Sequence, residues 1–152
     1  MTKLTQGTWV LVADGKKALF LENITDEKDP NLKVVRVQQQ DNPRDGEQTS
    51  DRPGHTVTAG GGGRRAAMEG ADWHQIAEDT FAAEIADILY QRAHAGAFRH
   101  LVLVAPPKTL GELRKHLHAE VTACVVAEIA KDLTNHPMPE VEKLVKADIA
   151  EA

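Results

Sequence analysis

Two short stretches, Trp9–Ala13 (WVLVA) and Leu101–Ala105 (LVLVA), contain no polar residue. A strand with one wet face alternates between apolar and polar positions. A run that is apolar throughout suits a strand covered on both faces. Two such strands belong side by side in the centre of a sheet, with layers packed on its two faces.

The residues around these runs set the order of the other elements. Asp14-Gly15 follows the first run and predicts a tight type I′ turn, in which both central residues take positive φ. Lys17 to Glu22 then returns as a second strand, and "NITDEKDPN" is a polar connection. "LKVVRVQQQ" reads as a third, edge strand whose Lys33, Arg36 and glutamines oppose pairing with another chain. Three strands in succession imply an antiparallel meander.

Residues 41 to 71 have no clear periodicity and read as one long loop. The pattern then turns helical. Trp73, Ile76, Ala77, Phe81, Ile85, Ile88 and Leu89 form one apolar stripe, with Asp72 as the expected cap and Gly96 at the end. Pro106 and Pro107 stop the second apolar run, and Leu110, Leu113 and Leu117 mark another helix. "ACVVAEI" reads as a strand, the alternative being a helix continuing from Leu117. A last helix after Pro137 carries Val141, Leu144, Val145 and Ile149.

The late helix–strand alternation calls for right-handed crossovers and parallel strands, and the early meander for antiparallel ones. A five-stranded mixed sheet in the order 3-2-1-4-5 satisfies both. The expected fold is therefore an α/β, RNase H-like single domain over residues 1–152, with helices packed on the faces of the sheet. A chain of 152 residues buries roughly 70% of its unfolded surface, so it needs no disulfide or metal to fold. The single cysteine, Cys124, lies in apolar surroundings and reads as a buried, inert thiol. No secretory signal and no run of roughly 18 apolar residues is visible, so a cytoplasmic protein without membrane insertion is expected.

Several chemistries lack their residues. A two-metal nuclease needs converging carboxylates, and the two central runs carry none. The seven histidines form no H-E-x-x-H or other ligand spacing. His116 and His118, two apart on an expected helix, should point to different faces. Ser50 is the sole serine, and no G-x-S-x-G elbow surrounds it. No metal, cofactor or catalytic residue is expected.

"TAGGGGRRAAMEG" remains, with Gly60, Gly61, Gly62 and Gly63 followed by Arg64 and Arg65. It is neither a Walker loop nor a dinucleotide fingerprint. It is either a slack tether or a loop that brings bare backbone amides and guanidinium groups to a phosphate. Arg44 and Arg52 make the segment slightly basic in a chain of net charge −5. A second basic cluster, Lys108, Arg114, Lys115, His116 and His118, begins at the carboxyl end of a central strand, where ligands of open α/β sheets bind. Its other reading is the solvated face of an amphipathic helix.

The blocks "WVLVADGKKALFLEN", "SDRPGHTVTAGGGGRRAAME", "LVLVAPPKTLGELRKHL" and "VVAEIAKDLTNHP" resemble, in order, those of the bacterial host attachment protein family. That family is in turn similar to the middle domain of archaeal and eukaryotic peptide-chain release factors and their Pelota relatives. The resemblance implies the mixed RNase H-like sheet and gives the glycine run a place. In those factors a Gly-Gly-Gln tip sits between the third strand and the long helix and promotes peptidyl-tRNA hydrolysis. This chain has the glycines but no glutamine there. His55 stands where the family pattern would have an arginine.

The resemblance thus implies RNA contact without carrying over catalysis. The reading is a non-catalytic, release-factor-like protein that meets the ribosome or structured RNA. The contacts would come from Arg44, Arg52, His55, Gly60 to Gly63, Arg64 and Arg65, with Lys108 and Arg114. The alternatives are a protein-interaction module, with a protein partner, acting in attachment to host cells or surfaces, and a hydrolase using the glycine loop as an oxyanion site.

Overall fold

The structure, a computed structural model, describes residues 4–26, 28, 30–40 and 62–151, with the backbone alone for residues 62–72, 150 and 151. Its sheet has five strands: β1 (Trp9–Ala13), β2 (Lys17–Asn23), β3 (Leu32–Gln39), β4 (Leu101–Val104) and β5 (Val125–Ile129). Their order is β3-β2-β1-β4-β5, as the apolar runs require. β1 and β4 pair in parallel with Trp9 opposite Leu101 and Val12 opposite Val104. β2 and β3 extend the sheet antiparallel on one side, and β5 extends it parallel on the other.

The side-chain period of two splits β1 between two cores. Leu11 and Ala13 join Phe20, Leu101 and Leu103 on one face. Val10 and Val12 join Leu21, Val102 and Val104 on the other. The first face is covered by the long helix α1 (Gly62–His94) through Phe81, Ile85 and Leu89, and by α2 (Pro107–His116) through Leu110 and Leu113. A short helix α3 (Ala119–Thr122) adds Val121 to the same core. The second face is covered by α4 (Met138–Glu151), with Val141, Val145 and Ile149 against the strands. β1 and β4 are thus buried along their whole length because each has a helix layer above and below.

Helix ends follow local chemistry. Gly96, at φ 81°, ends α1. Ala97 N–H donates to the Arg92 carbonyl at 2.9 Å and Gly96 N–H to that of Ala93 at 3.0 Å, a Schellman closure. Pro107 opens α2, where a missing N–H costs nothing.

Three expectations need correction. First, α1 starts at Gly62, not at Asp72, so residues 62–71 of the expected loop are helical. The stretch RRAAME is rich in strong helix formers but has no apolar stripe, and a reading by periodicity passes over it. Second, Gly15 does not take positive φ, so the β1–β2 turn is not type I′. The Asp14 carboxylate shapes it instead, accepting at 2.7 Å from both Lys16 N–H and Lys17 N–H. Third, the strand expected over "ACVVAEI" is present but begins at Val125, because Ala123 is the C-cap of α3 and Cys124 N–H turns back to the Val121 carbonyl.

The connection between β2 and β3 is organised by one buried side chain. Asn23 is fully buried. Its Nδ2 donates to the carbonyls of Leu4 (2.6 Å), Asp26 (3.2 Å) and Thr5 (3.3 Å). Its Oδ1 accepts from Asn31 N–H at 2.9 Å and from the Thr25 hydroxyl at 3.2 Å. An isosteric Asn23→Leu change leaves several of these groups buried without partners, at about 1–3 kcal/mol each. The expected loss is about 3 kcal/mol, read as a lower urea midpoint at unchanged slope.

Candidate functional site

Both crossover helices run back against the parallel strands, so the amino-terminal parts of α1 and α2 lie at the carboxyl edge of β1, β4 and β5. Here the Asp14–Lys16 turn, Gln40 after β3, Pro106 before α2 and the segment after β5 come together. Asp14 Oδ2 accepts from the Thr134 hydroxyl at 2.9 Å, and Asp132 Oδ1 lies at 2.9 Å from the same hydroxyl. Gln40 Nε2 donates to the Gly15 carbonyl at 3.1 Å. A Cβ on Gly15 would sit 3.0 Å from Glu78 Oε2. A side chain there would make the Glu78 side chain give way by a few tenths of an ångström, so Gly15 suits the approach of Glu78 and is not set by its backbone angle.

Among the described side chains, three polar contacts join α1 to α2. Glu78 pairs with Lys108 at 3.1 Å. Asp79 meets His116 Nε2 at 2.9 Å. Gln75 Nε2 donates to Glu112, a carboxylate with only 5% exposure. Above Glu78, α1 continues for 16 residues to Gly62, roughly 24 Å at the usual rise of an α-helix. The apolar docking of α1 fades over this stretch. Phe81 is buried, whereas Trp73 and Ile76 are 52% and 54% exposed. The first part of the expected apolar stripe thus faces solvent.

Of the expected contact residues, Arg44, Arg52, His55, Gly60 and Gly61 lie outside the described residues. Gly62, Gly63, Arg64 and Arg65 open α1. Lys108 and Arg114 stand at opposite ends of α2, and each is paired with a carboxylate. Arg114 meets Glu128 through both Nε and a terminal nitrogen, and that hydrogen bond raises the guanidinium pKa further. A phosphate at either residue would share the cation with a carboxylate already beside it. The structure does not bring the second basic cluster together as one positive patch.

His116 and His118, expected on different faces, line the same groove with Ala83, Ala86, Asp87 and Tyr90. The helical period does not run through both, because Leu117 is extended at ψ 131° and ends α2. His118 instead caps α3 by accepting from Glu120 N–H at 3.0 Å, with its ring 4.2 Å from that of Tyr90. Glu78, Gln75, Glu112 and Thr134 were not singled out from the sequence. Only the i, i+4 spacing of Lys108, Glu112 and His116 hinted at a polar seam. Among the described residues, no group of three or more His, Cys, Asp or Glu could hold a metal ion. Also among them, no helix is long and apolar enough to cross a membrane.

With this geometry in hand, comparison with known proteins gives two findings. The description "Bacterial archaeo-eukaryotic release factor family 12" matches residues 7–145, nearly the whole chain. The uncharacterized protein RP470 of Rickettsia prowazekii (strain Madrid E) is 38% identical over 55 residues. That alignment covers 36% of this chain and 37% of the relative, so the chain spans just over a third of the length of the protein it matches.

Cys124 is half-buried rather than buried, and its Sγ donates to the Glu120 carbonyl at 3.5 Å. Burial first, and then the Glu120 charge, push the thiol pKa up. A raised pKa keeps the thiol neutral over a wider range and lowers the reactive thiolate fraction at any given pH. Iodoacetamide should therefore alkylate the native chain more slowly than the urea-unfolded chain at about pH 8, with the native rate still climbing above the ordinary thiol range near pH 8.5. Equal rates in the two states would contradict this environment.

Proposed function

The chain belongs to bacterial archaeo-eukaryotic release factor family 12, and on that footing we propose that it contacts the ribosome or structured RNA in the cytoplasm. The contact runs through the segment from Arg44 to Arg65, in the manner of a release-factor middle domain. One observation carries the reading. The segment occupies the slot between the third strand and the long helix, and α1 holds Gly62 to Arg65 roughly 20 Å or more above the carboxyl edge of the sheet. A helix held that far out can reach into a narrow RNA cleft while the sheet stays outside.

The chemistry offered there is binding. Glycines allow close approach of backbone amides, and Arg64 and Arg65 supply guanidinium groups for phosphate. The segment has no glutamine beside its glycines, so the side chain that positions water in the similar release factors has no counterpart. The carboxylates that neutralise Lys108 and Arg114 leave the arginines of the segment as the main cationic contacts.

Sedimentation with ribosomes tests the reading. Arg64→Ala together with Arg65→Ala should weaken binding and flatten its salt dependence, each lost phosphate contact lowering the slope by about 0.7–0.9. Thermal stability should change by less than about 0.5 kcal/mol. A double variant that binds as the parent does, or a parent that binds neither ribosomes nor RNA, would overturn the proposal. The protein-interaction module for attachment would then lead.

A further inference from the structure

The exposed part of α1 carries a feature that phosphate contact does not use. Trp73 and Ile76, each more than half exposed, form one wall of a groove of about 150 Å³ that runs down to Phe81. Gln40, at the end of β3, and Thr80 and Glu84, from α1 itself, supply its polar lining. The groove thus combines an indole face with a hydroxyl and a carboxylate, beside an amide whose nitrogen is held by the Gly15 carbonyl.

We propose that this groove takes one unpaired nucleobase of a single-stranded RNA, stacked on Trp73 and hydrogen-bonded at its edge by Thr80 and Glu84. The inference rests on the RNA-contacting reading and adds a base-binding point to it. A purely apolar occupant would strip water from the Thr80 hydroxyl and the Glu84 carboxylate without replacing their hydrogen bonds, which is costly. A phosphate does not suit the groove either, because its charged lining residue is an acid. A base has the flat face that an indole stacks on and an edge with donors and acceptors. The Glu84 carboxylate only accepts. An exocyclic amino group donates to it from an open edge, whereas the N3–H donor of uracil is flanked by two carbonyl oxygens that the carboxylate repels, so adenine is favoured over uracil. The backbone places Arg65 eight residues before Trp73 on the same helix, roughly 12 Å away. That is close enough for one strand to meet both.

Fluorescence gives a direct test. The chain has two tryptophans. Trp9 is buried against Phe98 and Phe20, which leaves Trp73 as the quenchable one. A short oligoadenylate should quench Trp73 emission saturably, and oligouridylate should bind more weakly. Trp73→Ala should lower oligoadenylate affinity by about tenfold or more with the salt slope unchanged. Trp73→Phe should keep affinity within about threefold while losing the fluorescence signal, because a phenyl ring still stacks. Trp73 is exposed, so neither variant should disturb folding.

If Trp73→Ala binds oligoadenylate as the parent does while the Arg64 and Arg65 double variant is impaired, the base site is overturned and the phosphate contact stands. If no RNA binds at all, both fall. If Trp73→Ala keeps oligoadenylate affinity but loses ribosome sedimentation, the groove belongs to a protein side chain and the base site is again overturned.

Discussion

The parallel pairing of β1 with β4 is the contact on which the rest of the molecule depends. Each strand is apolar at every position, so each must be covered on both faces, and neither can lie at an edge. Once they are adjacent and parallel, the chain between β3 and β4 must cross over through a helix. The same holds between β4 and β5. The handedness of those crossovers puts α1 and α2 on the same face, running against the strands. Their amino-terminal parts then have to meet the carboxyl edge of the sheet. The position of the candidate site is a consequence of central-strand burial.

What happens at that edge is decided by polar contacts. Gly15 lets Glu78 come close, Glu78 holds Lys108, and Gln75 and Asp79 reach Glu112 and His116. The exposed pair of Glu78 with Lys108 adds little stability by itself. The effect of these contacts is geometric: they fix where α1 leaves the sheet, and therefore where its first sixteen residues point. They also consume charge. Lys108 and Arg114 look like phosphate ligands in the sequence and are partners of Glu78 and Glu128 in the fold.

The sheet order, the edge position of β3, the docked turns of α1 and the glycine closure at Gly96 were legible because each has a local or periodic signature. The start of α1 was not. RRAAME carries no apolar stripe, and the glycines ahead of it suggested a break. The turn at Asp14-Gly15 was legible as a turn but not in its type, because the glycine answers a contact with a residue 63 positions away. The common groove of His116 and His118 depended on one extended residue, Leu117, that no spacing rule reveals.

The sequence by itself determined the central strands and the mixed topology. These follow from composition and period within short windows. The tertiary structure alone decided which cations are neutralised, that Trp73 and Ile76 stay in solvent beside Gln40, and that α1 runs past the sheet before its docked turns begin. Those outcomes depend on contacts between elements distant in sequence, such as Thr134 with Asp14 across 120 residues. A linear pattern records which side chains are available. Only the packing of helices on a sheet sets which of them meet, which are screened, and which remain exposed to a partner.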